Sequence, residues 1–248
     1  MPFNFRLMDE GSWSATVMRS LVDAMQAALP EFAWPNYVLG NHDRMRLATR
    51  FGGQAQARVA AMLLLTLRGT PTLYYGDELG IENGVIPPDK IQDPQGVNLG
   101  AERSRDVCRT PMQWDASQYA GYSAVEPWLP VSNDFTERNV EVMKADPHSI
   151  LSLYHELLHL RKSSAALQVG TYTPIDMLTE KCFIYRRDAN TESFLIALNF
   201  TDMEQCFHLA DIITGKIMLS THLDRLGEID LKDIQLRPHE GLIIQLSD

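Results

Sequence analysis

The chain has 248 residues, of which 45% are apolar, and it carries a formal net charge of -10. This composition is typical of a globular protein with a sizeable core. The acidic balance disfavours nucleic acids and anionic membrane surfaces as partners, because both are bound through basic faces.

The cysteines and the absence of long apolar runs indicate in which cellular compartment the protein is expected. Cys108, Cys182 and Cys206 are widely spaced and form no CxxC pair, so they predict neither a disulfide framework nor a thiolate metal site. No window is apolar enough for a membrane span, and the first residues lack a signal pattern. We therefore expect a cytoplasmic protein.

The first third of the sequence alternates extended runs with helices. MPFNF (1–5), WPNYVLG (34–40) and TPTLYY (70–75) predict three strands. A serine-capped helix is predicted before Pro30, and QAQARVAAMLLLTL (54–67) predicts a second helix. The apolar face of the first helix is expected to be Val17, Leu21, Met25 and Leu29. This order predicts a parallel sheet with crossover helices.

The rest of the sequence has a different character. Residues 76–148 are rich in Pro, Gly, Asp and Asn and predict a long functional loop. Asp146-Pro147 predicts the start of a helix over SILSLYHELLHLRK (149–162). Beyond Gly170, CFIYRR, SFLIALNF, KIMLST and GLIIQL predict an antiparallel sheet. A domain boundary is therefore expected at 168/169.

Polar side chains follow two neighbouring predicted strands. Asn41, His42 and Asp43 come after the second strand, and Asp77 and Glu78 come after the third. Ligands of parallel α/β folds bind at the carboxyl ends of strands. The alternative is that these residues are helix caps and polar loop starts. Their occurrence after both strands favours a site.

Several segments together resemble one family of enzymes. GNHDRMRLATRFG, AMLLLTLRGTPTLYYGDELG, SRDVCRTPMQWD and AGYSAVEPWLPV occur in this order. They resemble the α-glucosidase branch of the α-amylase family, glycoside hydrolase family 13, and RTPMQWD is distinctive for α-glucosidases and oligo-1,6-glucosidases. The resemblance implies an α/β fold: the last three βα units of a (β/α)8 TIM barrel in 1–168, with the long loop 76–148, then a small antiparallel β domain in 169–248.

The resemblance also implies an activity and a site. Its members cleave α-glucosidic bonds of small oligosaccharides with retention, and no cofactor or metal is expected here. Asp43 matches the carboxylate that stabilises the transition state. His42, Arg105 and Arg109 match residues that bind the substrate. Trp114 and Trp128 are expected either to stack on sugar faces or, at least as readily, to pack within the loop.

The same resemblance places two catalytic groups outside this sequence. Retaining hydrolysis needs a nucleophilic carboxylate and an acid/base carboxyl about 5 Å apart. In the family these groups follow the fourth and fifth barrel strands, and this chain begins at the counterpart of the sixth. We therefore expect a carboxyl-terminal fragment that is inactive alone and that pairs with the missing amino-terminal half of the barrel or with itself.

Three alternatives belong to other classes. HELLH (155–159) fits the zinc-peptidase pattern HExxH, although its helix is equally explained by packing on a barrel. GNHD also occurs in metallophosphoesterases, but the earlier DxH and GD motifs of that fold are absent. The third alternative is a non-catalytic carbohydrate-binding or interaction fragment. The sequence therefore favours a glycosidase without metal ligands.

Overall fold

The structure is a computed structural model that describes residues 4–30, 32–176, 180–190, 192–209 and 214–247. The chain forms two compact units. The first comprises Met1–Val38, Arg58–Thr72 and Leu153–Asp248, and the second comprises Leu39–Ala57 and Leu73–Ser152. This division runs across the domain boundary expected at 168/169, which stays a prediction.

The secondary structure alternates first and becomes all-β later. The helices are α1 (Arg6–Asp9), α2 (Ala15–Ala28), α3 (Leu47–Phe51), α4 (Gln54–Thr66), α5 (Pro94–Leu99), α6 (Val140–Ala145), α7 (Ile150–Ser163) and α8 (Ala165–Val169). The strands are β1 (Asn36–Val38), β2 (Thr70–Thr72), β3 (Thr171–Pro174), β4 (Cys182–Ala189), β5 (Glu192–Asn199), β6 (Gln205–Phe207), β7 (Thr214–Ser220), β8 (Gly227–Asp230), β9 (Ile234–Leu236) and β10 (Gly241–Leu246). No helix in the described ranges is both long and apolar enough to cross a membrane.

Strands β1 and β2 are parallel, as their crossover connection through α4 requires. Their register pairs Tyr37 with Pro71. Asn4 adds a parallel bridge to Tyr37. The first predicted strand, MPFNF (1–5), is therefore represented by this residue, and its residues 1–3 lie outside the described residues. The parallel arrangement predicted for this part of the chain is confirmed.

Helix α2 begins and ends as predicted, but its buried face differs. Ser14 caps the helix by accepting from the backbone N–H of Val17 at 3.5 Å. The fully buried residues are Ala15, Met18 and Val22, whereas the predicted face lies half-buried beside them. The predicted buried face was therefore wrong by one residue. The apolar stripe of an amphipathic helix is broad, and here its centre is one residue later in the chain than predicted.

Helix α7 starts later than the sequence predicts. Its cap is Ser149, whose Oγ accepts from the Ser152 N–H at 3.0 Å. Asp146, the predicted cap, instead accepts from the His148 N–H at 2.8 Å in the preceding turn. The prediction failed because an aspartate before proline can close a turn as readily as it caps a helix.

The carboxyl-terminal strands form an antiparallel sheet in the order β3-β4-β5-β10-β7-β8, with β6 and β9 paired separately. The four predicted strands are β4, β5, β7 and β10, and their apolar side chains form a core that includes Ile184, Leu195, Leu242 and Ile244. The strands that the sequence did not predict, β3, β6, β8 and β9, have only three or four residues each and lack a long apolar run. The antiparallel prediction is confirmed.

The long segment 76–148 is ordered around a small core of its own. Leu79, Ile81 and Met112 are buried, and half-buried residues of the following helices pack on them. Much of the remaining backbone forms short 3-10 turns, such as Asp106–Cys108. A loop of this kind holds its side chains in defined positions.

Within the first unit, a buried arginine ties a helix to the sheet. Arg187 is fully buried, and it donates to the carbonyl oxygens of Thr66, Gly170 (3.1 Å) and Thr171 (3.1 Å). Burial lowers its pKa to about 10. The guanidinium thus satisfies carbonyls at the end of α4 and before and within β3, and its bonds to Thr66 and Gly170 are buried.

Replacing Arg187 with methionine should lower the free energy of unfolding by about 3 kcal/mol, because two buried carbonyls and a third that is partly buried lose donors. The matched control is Arg186→Met, which removes a half-exposed arginine that contacts Asp188 and Ser193 and should cost less than about 1 kcal/mol. Urea denaturation of both variants checks this. Equal losses would contradict the role assigned to Arg187.

Candidate active site

The site begins in the turn that follows β1. The Oδ1 atom of Asn41 accepts from the backbone N–H of Asp43 at 2.9 Å, which fixes a tight turn. This turn presents His42 and Asp43, whose side chains are 66% and 41% exposed. The His42 Nε2 atom lies 3.5 Å from the Asp43 Oδ2 atom. An imidazole and a carboxylate therefore stand together and accessible.

Two arginines from the long loop converge on this carboxylate. The Nη1 atom of Arg105 lies 2.9 Å from Asp43 Oδ1, and the Nη2 atom of Arg109 lies 3.1 Å from the same oxygen. Arg109 Nε also donates to the His42 carbonyl at 2.8 Å. The structure thus brings together all four residues predicted for the site, His42, Asp43, Arg105 and Arg109. Their roles toward a substrate stay predictions.

A fifth residue, Asp93, was missed by the sequence analysis. Its side chain is fully buried and pairs with Arg105, with Arg105 Nη2 2.6 Å from Asp93 Oδ1. Hydrogen bonds from the Arg105 guanidinium hold the pKa of Asp93 well below its usual range. The available signal was the Asp93-Pro94 dipeptide, a helix-start pattern that indeed caps α5. That signal points to a cap and does not reveal the pairing.

The chemistry of this arrangement is binding through oriented polar groups. The Asp43 carboxylate can accept from hydroxyl groups, the exposed imidazole of His42 can donate or accept, and the arginines only donate. Two guanidinium groups balance the two carboxylates, so a neutral polyol fits the charge of the site. Among the described residues, none of these site side chains belongs to a cluster with the spacing of metal ligands.

The loop after β2 is built on another buried arginine. Arg46 Nη1 donates to the Tyr75 carbonyl at 2.5 Å and Nη2 donates to the Thr110 carbonyl at 3.3 Å. Gly76 has φ of +88°, and a Cβ there would lie 2.6 Å from Arg46 Nη1. Only glycine combines this backbone with the close approach of the guanidinium.

Asp77, which follows this glycine, is a buried acid next to Gly40, the residue before the turn that presents His42 and Asp43. It is 3% exposed, and a Cβ on Gly40 would lie 3.1 Å from its Oδ2 atom. Its Oδ1 atom has no hydrogen-bond partner among the described residues. Burial raises the pKa of Asp77 to about 7. Asp77 therefore lies below the loop surface and cannot reach a ligand there.

The tryptophans of the long loop face solvent. Trp114 is 50% exposed and Trp128 is 69% exposed, so packing within the loop does not describe them. Tyr122 is 51% exposed in the same segment. Stacking of the tryptophans on a sugar stays a prediction.

The HELLH motif lies on the outer face of α7. His155, Glu156 and His159 are exposed, Leu157 is buried and Leu158 is 43% exposed. The core-packing explanation thus holds for Leu157 and is wrong for Leu158.

Within the described ranges, one group has the close spacing of metal ligands: His222, Asp224 and Glu240. There, Arg237 pairs with both acids and Arg225 with Glu240, so a cation would have to displace guanidinium groups.

Comparison with known proteins identifies the family. The model of the α-amylase catalytic domain matches residues 1–170. The chain therefore belongs to the α-amylase family. The oligo-1,6-glucosidase of Parageobacillus thermoglucosidasius is 32% identical over an alignment of length 284 that covers 99% of this chain and 50% of the relative. The human amino acid transporter heavy chain SLC3A1 is 33% identical over an alignment of length 253 that covers 98% of this chain and 35% of the relative.

Solved structures agree with the family match. The α-glucosyl transfer enzyme XgtA superposes with a TM-score of 0.90 at 30% identity, covering 100% of this chain and 46% of that one. The fold is the carboxyl-terminal portion of a (β/α)8 barrel followed by an antiparallel β domain, as predicted. The chain spans about half the length of the oligo-1,6-glucosidase that it matches.

Replacing Asp77 with asparagine should stabilise the protein more at about pH 8 than at about pH 5.5. The folded-state pKa of about 7 exceeds the usual 3.8, so the unfolded chain releases this proton first. The wild type therefore loses stability as pH rises between these two values, and the amide does not titrate. Urea midpoints at both pH values measure the difference.

The control is Asp89→Asn, which removes the same charge from an exposed position of the same unit. Its effect on the urea midpoint should not grow with pH in the manner of Asp77→Asn. Equal effects of Asp77→Asn at both pH values would show that the carboxyl is already ionised throughout this range.

Proposed function

We propose that this chain is the sugar-binding carboxyl-terminal part of a retaining α-glucosidase that acts on small oligosaccharides. The observation that carries the proposal is the half-exposed carboxylate of Asp43, held by Arg105 and Arg109 beside the exposed imidazole of His42. Such a set can accept and donate hydrogen bonds to adjacent hydroxyl groups of a pyranose. The names of the oligo-1,6-glucosidase relatives support the same class.

In this proposal Asp43 stabilises the transition state and does not form the covalent intermediate. Charge develops on the sugar ring as the glycosidic bond breaks, and a fixed carboxylate that accepts from its hydroxyls binds this state more tightly than the substrate. The two arginines keep the carboxylate oriented before the substrate arrives, so little reorganisation is needed at the moment of reaction. The nucleophile and the acid/base are proposed to come from the other half of the barrel.

The proposed partner is therefore that amino-terminal half, or a second copy of the chain. Parallel strands β1 and β2, bridged to Asn4, account for only part of a closed sheet, and open sheet edges favour association. The net charge of -10 supports the expectation of neither nucleic-acid nor membrane partners. The free thiols of Cys108, Cys182 and Cys206 favour a reducing compartment such as the cytoplasm.

A second candidate is a non-catalytic interaction protein. It is favoured by the 33% identity to the human amino acid transporter heavy chain over 98% of this chain. The two candidates differ in turnover: an α-glucosidase hydrolyses p-nitrophenyl α-glucoside once both halves of its barrel are present, and an interaction protein does not. The same assay separates an α-glucosidase from a zinc peptidase, which does not cleave glycosides.

Asp43→Asn should lower kcat/KM of the assembled enzyme on p-nitrophenyl α-glucoside by about 100-fold, because an oriented electrostatic stabiliser is lost. The melting temperature should change little, since the residue is half-exposed and its ion pairs are partly solvated. Asp202→Asn, which removes an equal charge from an exposed position, is the control and should retain activity. A variant that melts much earlier yet turns over normally when folded would mean that Asp43 is structural.

The 248-residue chain alone should show no hydrolysis of the same substrate. Without a nucleophile no glycosyl-enzyme forms, and without an acid the leaving oxygen is not protonated. Light scattering should find an oligomer, and addition of a separately expressed amino-terminal half should restore activity. Robust turnover by the chain alone would refute the division of roles, and no turnover after reconstitution would favour the interaction protein.

A further inference from the structure

Most hydrogen bonds that the Asp93 carboxylate accepts come from one residue, Arg105. Its Oδ2 atom accepts from the backbone N–H of Arg105 at 2.8 Å and from Arg105 Nε at 2.9 Å. Its Oδ1 atom accepts from Arg105 Nη2 at 2.6 Å and from the N–H of Gln95 at 3.4 Å. The side chain is fully buried, so water does not compete for these bonds. Both ends of Arg105, backbone and guanidinium, are therefore bound by the same carboxylate.

This pairing determines where the rest of the guanidinium points. A guanidinium group is planar, and binding of its Nε and Nη2 edge by a carboxylate fixes the plane and the direction of Nη1. In Arg105 the remaining Nη1 lies 2.9 Å from Asp43 Oδ1. Asp93 Oδ1 also lies 3.9 Å from Arg109 Nη1, but its close hydrogen bonds go to Arg105, and through them it fixes a group that holds Asp43.

Asp93 is itself held in place by a second buried acid. The Oδ2 atom of Asp106 accepts from the backbone N–H groups of Gln92 (2.7 Å) and Asp93 (2.8 Å). The N–H of Asp106 donates to Ser104 Oγ at 3.2 Å. These bonds hold Gln92 and Asp93, before α5, next to Asp106, which follows it. The backbone N–H of Asp93 is thus fixed by the Asp106 carboxylate.

We infer that Asp93 is a positioning residue that fixes the Arg105 guanidinium for its contact with Asp43. The inference rests on the proposed function, since it assigns Asp93 an effect on the sugar-binding carboxylate. The competing explanation is that Asp93 only caps α5 and stabilises the loop. The two differ in one respect: a positioning residue is energetically coupled to Asp43 through Arg105, and a cap is not.

The chain contains a matched control in Glu240, which belongs to the first unit. It is also fully buried, and it accepts from the backbone N–H of Arg237 at 2.8 Å, from Arg237 Nε at 3.1 Å and Nη2 at 2.5 Å, and from Arg225 Nη1 at 2.9 Å. Glu240→Gln thus disrupts the same kind of arginine clamp without involving Asp43. It reports what losing such a clamp does to stability alone.

The first measurement compares Asp93→Asn with Glu240→Gln in the enzyme assembled from both barrel halves, well below the melting temperature of either variant. Asp93→Asn should reduce kcat/KM on p-nitrophenyl α-glucoside by about 10- to 100-fold, because the stabilising carboxylate loses its fixed partner. Glu240→Gln should leave kcat/KM of the folded enzyme unchanged. Equal kcat/KM values for the folded variants would overturn the inference.

The second measurement does not depend on turnover. Urea midpoints are determined for the wild type, Asp43→Asn, Asp93→Asn and the double variant of the same assembled protein. The shift caused by Asp43→Asn should differ between the wild type and the Asp93→Asn variant, and it should be the same with and without Glu240→Gln. Additive shifts of Asp43→Asn and Asp93→Asn would overturn the inference. If the wild type lacks turnover while coupling is found, the proposed function fails and the positioning role stands.

Discussion

The candidate site depends on the pairing of one arginine with two carboxylates. Arg105 spans Asp93, which is buried, and Asp43, which is half-exposed. A lysine could not do this, because its single ammonium group has no planar fork to engage both carboxylates in fixed directions. The buried pairing is tolerated energetically because each lone pair of Asp93 that the arginine reaches is satisfied. The buried pairing with Asp93 therefore fixes the direction in which Arg105 contacts Asp43.

Guanidinium groups perform a related task for backbone carbonyls in irregular segments and at the ends of helices and strands. Arg46 serves the carbonyls of Tyr75 and Thr110 in the second unit, and Arg187 serves three carbonyls in the first. Carbonyls at such positions lack regular partners, and buried carbonyls without donors are costly. A forked donor on a long side chain can supply several such carbonyls at once. This explains how a segment with little regular structure can hold a site.

The sequence predicted those features that are encoded locally. The apolar runs of β4, β5, β7 and β10, and the long apolar stretch of α4, are visible in a short window, and all of them are found. The recognised motifs carried His42, Asp43, Arg105 and Arg109, which do lie together. Asp93 was not predicted, because its role arises from contacts with a residue 12 positions away across an irregular loop. The cap at Ser149 was missed for a different reason, since Asp146 carries the stronger local signal but is used by the preceding turn.

Protonation and burial of the acids in and near the candidate site argue against a general acid among them. A general acid must hold a proton near neutral pH and must reach the leaving oxygen. Asp93 meets neither condition, because hydrogen bonds from Arg105 lower its pKa and its side chain is fully buried. Asp77 has a pKa of about 7 but is 3% exposed, so its carboxyl fails the second condition. Asp43 is accessible, but one of its oxygens already accepts from two arginines, which suits an acceptor of fixed orientation. The acid of a glycosidase built on this chain therefore has to come from outside this cluster.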